Sequence, residues 1–215
     1  LHGLIQFDSR SFFDVPTAGV RTGNFLLRKA RPILTGTVFH DFDFNFTPEF
    51  GGSSPSIYDA YINYHYNPAL QLEAGKFKSL VGLEALQSDT WLFFNERSLV
   101  NNLVPNRDLG LQLHGDLFDG VASYAAAVLG GTPDQVSPSN TDPDNNVAFA
   151  GRLFFQPFKK SDIDALQGFG IGVGGSYQND EKSAANLTSG YKTDGQQTFF
   201  TYTTGVVADG RHWRI

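Results

Sequence analysis

A chain of 215 residues carrying 16 Lys and Arg against 22 Asp and Glu, for a formal net charge of −6, lacks the basic excess of a nucleic-acid binder, and no nucleic-acid partner is expected. Cysteine is absent, which excludes a disulfide framework, a thiolate metal site and a cysteine nucleophile. No apolar run is long enough for a transmembrane helix, while 20 Phe, 8 Tyr and 23 Gly point to strands and turns.

Read in chain order, period-2 alternation dominates. Segments 1–13 and 24–38 are expected as strands, joined by a longer loop from Val15 to Asn24. A tight turn near His40 leads into the clearest strand, Asp41-Phe42-Asp43-Phe44-Asn45-Phe46, with Phe on one face and Asp, Asp, Asn on the other. After the loop Pro48 to Ser56, Ala60, Ile62, Tyr64 and Tyr66 alternate with Asp59, Tyr61, Asn63 and His65. The short turn Asn67-Pro68-Ala69 precedes a strand over 69–78, and a long non-alternating stretch then runs to Arg107. Leu109, Leu111 and Leu113 alternate with Asp108, Gly110, Gln112, His114 and Asp116; a turn at Asp119-Gly120 leads to a strand over 121–130. Past the turn-rich stretch Gly131 to Asn145, Val147, Phe149, Gly151, Leu153 and Phe155 alternate with Ala148, Ala150, Arg152, Phe154 and Gln156. A connection from Pro157 to Leu166 leads to Phe169, Ile171, Val173 and Tyr177, alternating with Gly and polar residues. Asn179 to about Gly210 is long again, with further strand expected at Thr198 to Tyr202. Both ends fall inside strands, so the chain is read as a fragment of a longer protein.

Long and short connections therefore alternate, the arrangement of an up-and-down outer-membrane barrel. Three further features favour a membrane over a soluble sandwich. Several strands reach nine residues or more, near the length that crosses hydrocarbon. Aromatics gather at strand ends (Phe12, Phe13, Tyr66, Phe118, Phe155, Tyr177), as interfacial girdles do. The polar face is also poor in the Lys that soluble surface strands use. A soluble β-sandwich binding module is the alternative from another class.

The polar stripes supply the candidates for a lumen: His2, Gln6, Asp8, Arg10, Asp41, Asp43, Asp59, Asn63, His65, Gln112, His114, Asp116 and Arg152. Fixed charges in a pore wall set ion selectivity. Arg28-Lys29-Ala30-Arg31 is the densest basic cluster on any strand. Lys29 and Arg31 share a face, and Arg28 takes the other unless a bulge turns it inward. The stretch 80–107 is expected to fold into the barrel and narrow it, since so long an irregular segment is usually functional. Lys76 and Lys78 precede it where the alternation breaks down. Three signatures are set aside. Gly170, Gly172 and Gly175 match G-x-G-x-x-G but open no helix, so they are read as clearing space in a wall. Asp142, Asp144, Asn145 and Asn146 lack the spacing of a calcium loop. Asn186-Leu187-Thr188 is a formal glycosylation sequon of little meaning in a bacterial envelope protein. The histidines, at 2, 40, 65, 114 and 212, are scattered, and no nucleophile or carboxylate pair suggests an enzyme. No cofactor and no metal are implied.

Gly3-Leu4-Ile5-Gln6-Phe7-Asp8, Arg28-Lys29-Ala30-Arg31, Phe42-Asp43-Phe44, Gly75-Lys76-Phe77-Lys78, Val81-Gly82-Leu83-Glu84, Glu96-Arg97 and Gly151-Arg152-Leu153 occur in this order across nearly the whole chain. Together they resemble the phosphate-selective porins O and P. The resemblance implies an all-β, transmembrane, antiparallel up-and-down barrel of sixteen strands. It also implies a homotrimer in the outer membrane of a Gram-negative bacterium, with an anion-conducting pore. Residues 1–215 would form one barrel domain, incomplete at both ends, holding the first nine or ten strands. Arg28 and Lys29 match a paired basic site lining the family's pore. The family's lysines just after the Gly-Leu-Glu motif are replaced here by Ala85 and Thr90, with Asp89 alongside, and the arginines after its ninth strand are represented mainly by Lys192. A phosphate filter needs several converging donors.

The expected function is a water-filled channel in the bilayer for passive diffusion of small solutes, with anions such as phosphate first. Arg28, Lys29, Arg31, Lys76, Lys78, Arg97, Arg107 and Lys192 are the expected anion path. A pore for uncharged nutrients is the alternative.

Overall fold

A computed structural model of the chain describes residues 1–11, 13, 23–52, 54–94, 96–138, 140, 146–183, 187, 190–193 and 197–215. Phe12, Asp142, Asp144, Asn145, Asn186 and Thr188, singled out above, lie outside the described residues. Ten strands form one antiparallel sheet: β1 (His2–Ser11), β2 (Gly23–Val38), β3 (Phe42–Glu49), β4 (Ser56–Asn67), β5 (Leu70–Lys78), β6 (Arg107–Leu117), β7 (Ala122–Leu129), β8 (Ala148–Phe155), β9 (Ile171–Ser183) and β12 (Ala208–Arg214). Each pairs with its neighbours in chain order, an up-and-down meander. β10 (Gly190–Lys192) and β11 (Thr198–Thr201) make a small hairpin in the last long connection. β1 and β12 are its two open edges among the described residues.

The faces of this sheet are reversed relative to a water-soluble one. Ile5 is 79 % exposed, Phe25 77 %, Ile171 61 % and Leu153 61 %, whereas Lys29 is 6 % and Arg31 8 % exposed. Phe46, Ile62, Leu72, Leu111, Val128 and Phe149 share the outer face. Glu49, Asn63, Glu73, Gln112, Ser176 and Gln178 are buried on the inner one. A sandwich would bury its apolar faces between two packed sheets. Here an apolar outer face surrounds polar groups, and such a surface needs lipid. β2, β9 and β4 run 16, 13 and 12 residues, enough to cross a bilayer with tilt.

The tight turns collect at one end of the sheet. Phe39 and His40, and again Phe118 and Asp119, take positive φ in the short connections 39–41 and 118–121, which keep the strand twist. Exposed Phe39, Tyr66, Phe118 and Phe155 ring this end, as an interfacial girdle does. Tyr177 is different: it lies within β9, its ring 4.4 Å from that of Trp213. Asp41 also departs from the sequence reading, because it sits exposed in the turn before β3 rather than on the inner face. Nor does the alternation of connection lengths hold throughout. Residues 156–170, at the tight-turn end, form a longer connection with a short helix, α2 (Asp164–Gln167). The reason lies in the adjacent hairpin: Lys159 donates to the Gly120 carbonyl at 3.0 Å and Lys160 pairs with Asp119 at 2.5 Å, so this connection buttresses the neighbouring turn.

Candidate functional site

The site begins with a break in pairing. Gln6 lies opposite Lys29, but Phe7 lies opposite Leu27, leaving Arg28 as the extra residue of a bulge. The bulge brings Arg28 onto the inner face beside Lys29 and Arg31. β3 supplies Glu49, whose Oε1 accepts from the backbone N–H of Ala30 and of Gly51, both at 2.8 Å, while its other oxygen takes Arg31 Nε. Glu49 is thus fixed by β2 and by the turn that follows β3.

The connection 79–106 lies across this inner face. Its start packs Leu80 with Phe77, Ala127, Leu129, Ala148 and Ala150. Helix α1 (Leu83–Leu86) follows, and the carbonyls of Leu86 and Gln87 accept from Lys78 Nζ at 3.1 and 2.9 Å. Arg97 folds back onto the Glu84 and Gln87 carbonyls at 3.0 and 2.9 Å. The Glu84 carboxylate in turn takes the Ser98 N–H. These bonds make the segment a folded strap. A turn of 3-10 helix (Asp89–Trp91) then presents Asp89 to the wall. Asp89 Oδ2 lies 2.5 Å from Arg31 Nη1 and 3.3 Å from Lys29 Nζ, and Oδ1 lies 2.7 Å from Arg97 Nη1. Burial works to raise the Asp89 pKa, but the charges of Arg97, Lys29 and Arg31 outweigh it and hold the carboxyl well below the usual range. Further along, Glu96 reaches Arg28 at 3.4 Å and Arg10 at 3.5 Å. The strap turns Trp91, Phe93 and Phe94 outward from these contacts, all three strongly exposed.

Tyr58 completes the basic cluster. Arg31 lies 3.7 Å and Arg107 3.5 Å from its ring centroid, and Arg107 also pairs with Asp59 at 3.1 Å. Beside this stack is a cavity of about 480 Å³ lined by Arg28, Lys29, Arg31, Arg97 and Lys192, by Glu49 and Glu96, and by Asn101, Asn102, Asn106 and Gln135. The Lys192 carbonyl accepts from Asn102 and from Gln135, each at 2.9 Å, so three long connections meet there. No partner of the Lys192 ammonium lies among the described residues.

The remaining expected residues divide by place. Lys76 is buried and donates to the Pro138 carbonyl at 2.5 Å, tying down the connection after β7. Asp8 pairs with Arg10 at 2.7 Å. His65 bonds Asp43 at 2.7 Å and His114 bonds Asn63 at 3.1 Å, both toward the tight-turn end. Arg152 lies 5.5 Å over the Phe154 ring. Neither these nor Lys76 and Lys78 line the cavity. The sequence reading missed Asp89, Glu96, Glu49 and Tyr58 as partners of the basic groups. For Glu49 a signal existed: counting back from the turn at His40 sets it opposite Arg31.

A family model described as phosphate-selective porin O and P matches residues 1–212. The chain belongs to the phosphate-selective porin O and P family. This family is one of outer-membrane channels and not an enzyme class, and its all-β, up-and-down barrel architecture accounts for the reversed faces of the porin's sheet. No curated protein matches the porin's sequence.

Proposed function

We propose that the protein forms a water-filled channel in the bacterial outer membrane through which small solutes diffuse passively, with anions preferred. The strap 79–106 is the constriction. Arg28, Lys29, Arg31, Arg97 and Lys192 mark the anion path, Arg107 supports it from behind Tyr58, and Lys76 and Lys78 hold the connections that shape it. One observation carries the reading: five basic side chains from a β-strand, the strap and a third connection line one cavity on the polar face of a sheet whose other face is apolar. Such an arrangement concentrates anions in a low-dielectric surround. A homotrimer of barrels is the assembly proposed, following the family resemblance.

The intact protein in planar bilayers tests this. Reversal potentials in a potassium chloride gradient should show chloride preference over potassium, and clear cation preference would sink the anion reading. A second reading, a pore for uncharged polar nutrients, draws on the amides of Asn101, Asn102, Asn106 and Gln135 in the same lining. Block of the current by a neutral sugar, with none by phosphate, would favour it.

A further inference from the structure

The carboxylate of Asp89 occupies an anion's position. Its two oxygens are approached by three cations from two separate elements, at 2.5, 3.3 and 2.7 Å, and all three cations line the cavity through which solutes would pass. Converging guanidinium and ammonium groups are the arrangement that recognises oxyanions. Two carboxylates share this place and they are not equivalent. Glu49 is anchored by the backbone N–H of Ala30 in the neighbouring strand and of Gly51 just past its own. Asp89 sits on a three-residue turn of the strap, and its buried Oδ1 has no aligned hydrogen bond despite the Arg97 charge beside it. Glu49 therefore belongs to the wall, whereas Asp89 is a ligand delivered to it.

We propose that Asp89 is a tethered stand-in for a permeating oxyanion: its carboxylate fills the place between Lys29, Arg31 and Arg97 in which phosphate or another small oxyanion would otherwise be held. The channel then attracts anions through its general field but does not retain them. This rests on the channel reading above. It assigns to one acidic residue the choice between a diffusion pore and a binding pore. Removing the charge while keeping the shape, as in Asp89→Asn, empties the position and leaves the three cations facing the cavity.

The test is phosphate block of chloride current through the intact protein in planar bilayers. Wild type and Asp89→Glu should be blocked weakly and alike. Asp89→Asn should need about tenfold less phosphate for half block, as expected for a released charge pair. Adding Arg97→Gln to Asp89→Asn should abolish the gain. Equal phosphate sensitivity of wild type and Asp89→Asn overturns the proposal. So does a rise in single-channel conductance without new block, which would make Asp89 only a pin for the strap. If Asp89→Asn fails to fold in chloride, refolding in phosphate decides: recovery supports an emptied oxyanion site, and no recovery overturns it. Absence of any channel from the wild type would instead sink the channel reading itself.

Discussion

Tyr58 is the residue on which the basic cluster depends most. Its ring lies between the Arg31 and Arg107 guanidinium groups, which would otherwise repel each other. Each such contact is worth roughly 0.5–2 kcal/mol. Tyr58→Leu should therefore lower unfolding stability by about 1–3 kcal/mol, whereas Tyr58→Phe, which keeps the ring, should change it little. Urea titration of the protein folded into phospholipid vesicles measures both. At this scale sequence reading goes only part of the way. Composition and alternation locate Arg28, Lys29 and Arg31 on one strand. They do not reveal that the extra residue of the bulge is Arg28, because a bulge is set by pairing with β1 and leaves no mark in β2 alone. Asp89 and Glu96 are further beyond reach. Their partners in β2 stand 58 and 68 residues away, joined only once the strap has folded over the sheet.

Among the elements, β8 and β9 show why three glycines resemble a nucleotide-binding signature without being one. A methyl carbon added at Gly170 or Gly172 would meet the Phe154 ring at 2.5 or 2.7 Å. Phe154 is an aromatic ring on the inner face, and it lies flat only because β9 has no side chains beneath it. Gly172→Val should cost about 1–3 kcal/mol through overpacking, and Phe154→Ala in the same chain should recover most of the loss. The heat-modifiable gel shift of folded against unfolded protein, followed through a urea series, gives the comparison. The strands themselves were readable, since period-2 alternation survives in each segment with one face against lipid. Alternation fails at Gly75 to Lys78, where Gly75 takes a φ of 135° and both lysines turn to carbonyls of neighbouring connections. The connection 156–170 departs from the simple length pattern that alternation suggests, because its partners, Asp119 and Gly120, lie on a different hairpin.

For the molecule as a whole, the reversed faces make an asymmetric prediction. Ile62→Arg, on the outer face near the middle of β4, should destabilise the folded protein in vesicles by roughly 2–4 kcal/mol. His65→Arg, three residues along on the inner face, keeps a hydrogen-bond donor within reach of Asp43 and should change stability by less than about 1 kcal/mol. Equal losses at the two positions, measured by the same urea titration, would mean that the faces are wrongly assigned. The strap carries a different consequence. It touches β1 through Arg10 and Glu96, and its Leu80 carbonyl lies against Gly174 of β9, so it spans nearly the full width of the wall from inside. A wall that curled shut first would have to swallow this segment, with the bulk of Trp91, Phe93 and Phe94, through its mouth. The order of assembly to expect from this placement is the strap laid down while the curve is still open, and the seam made last.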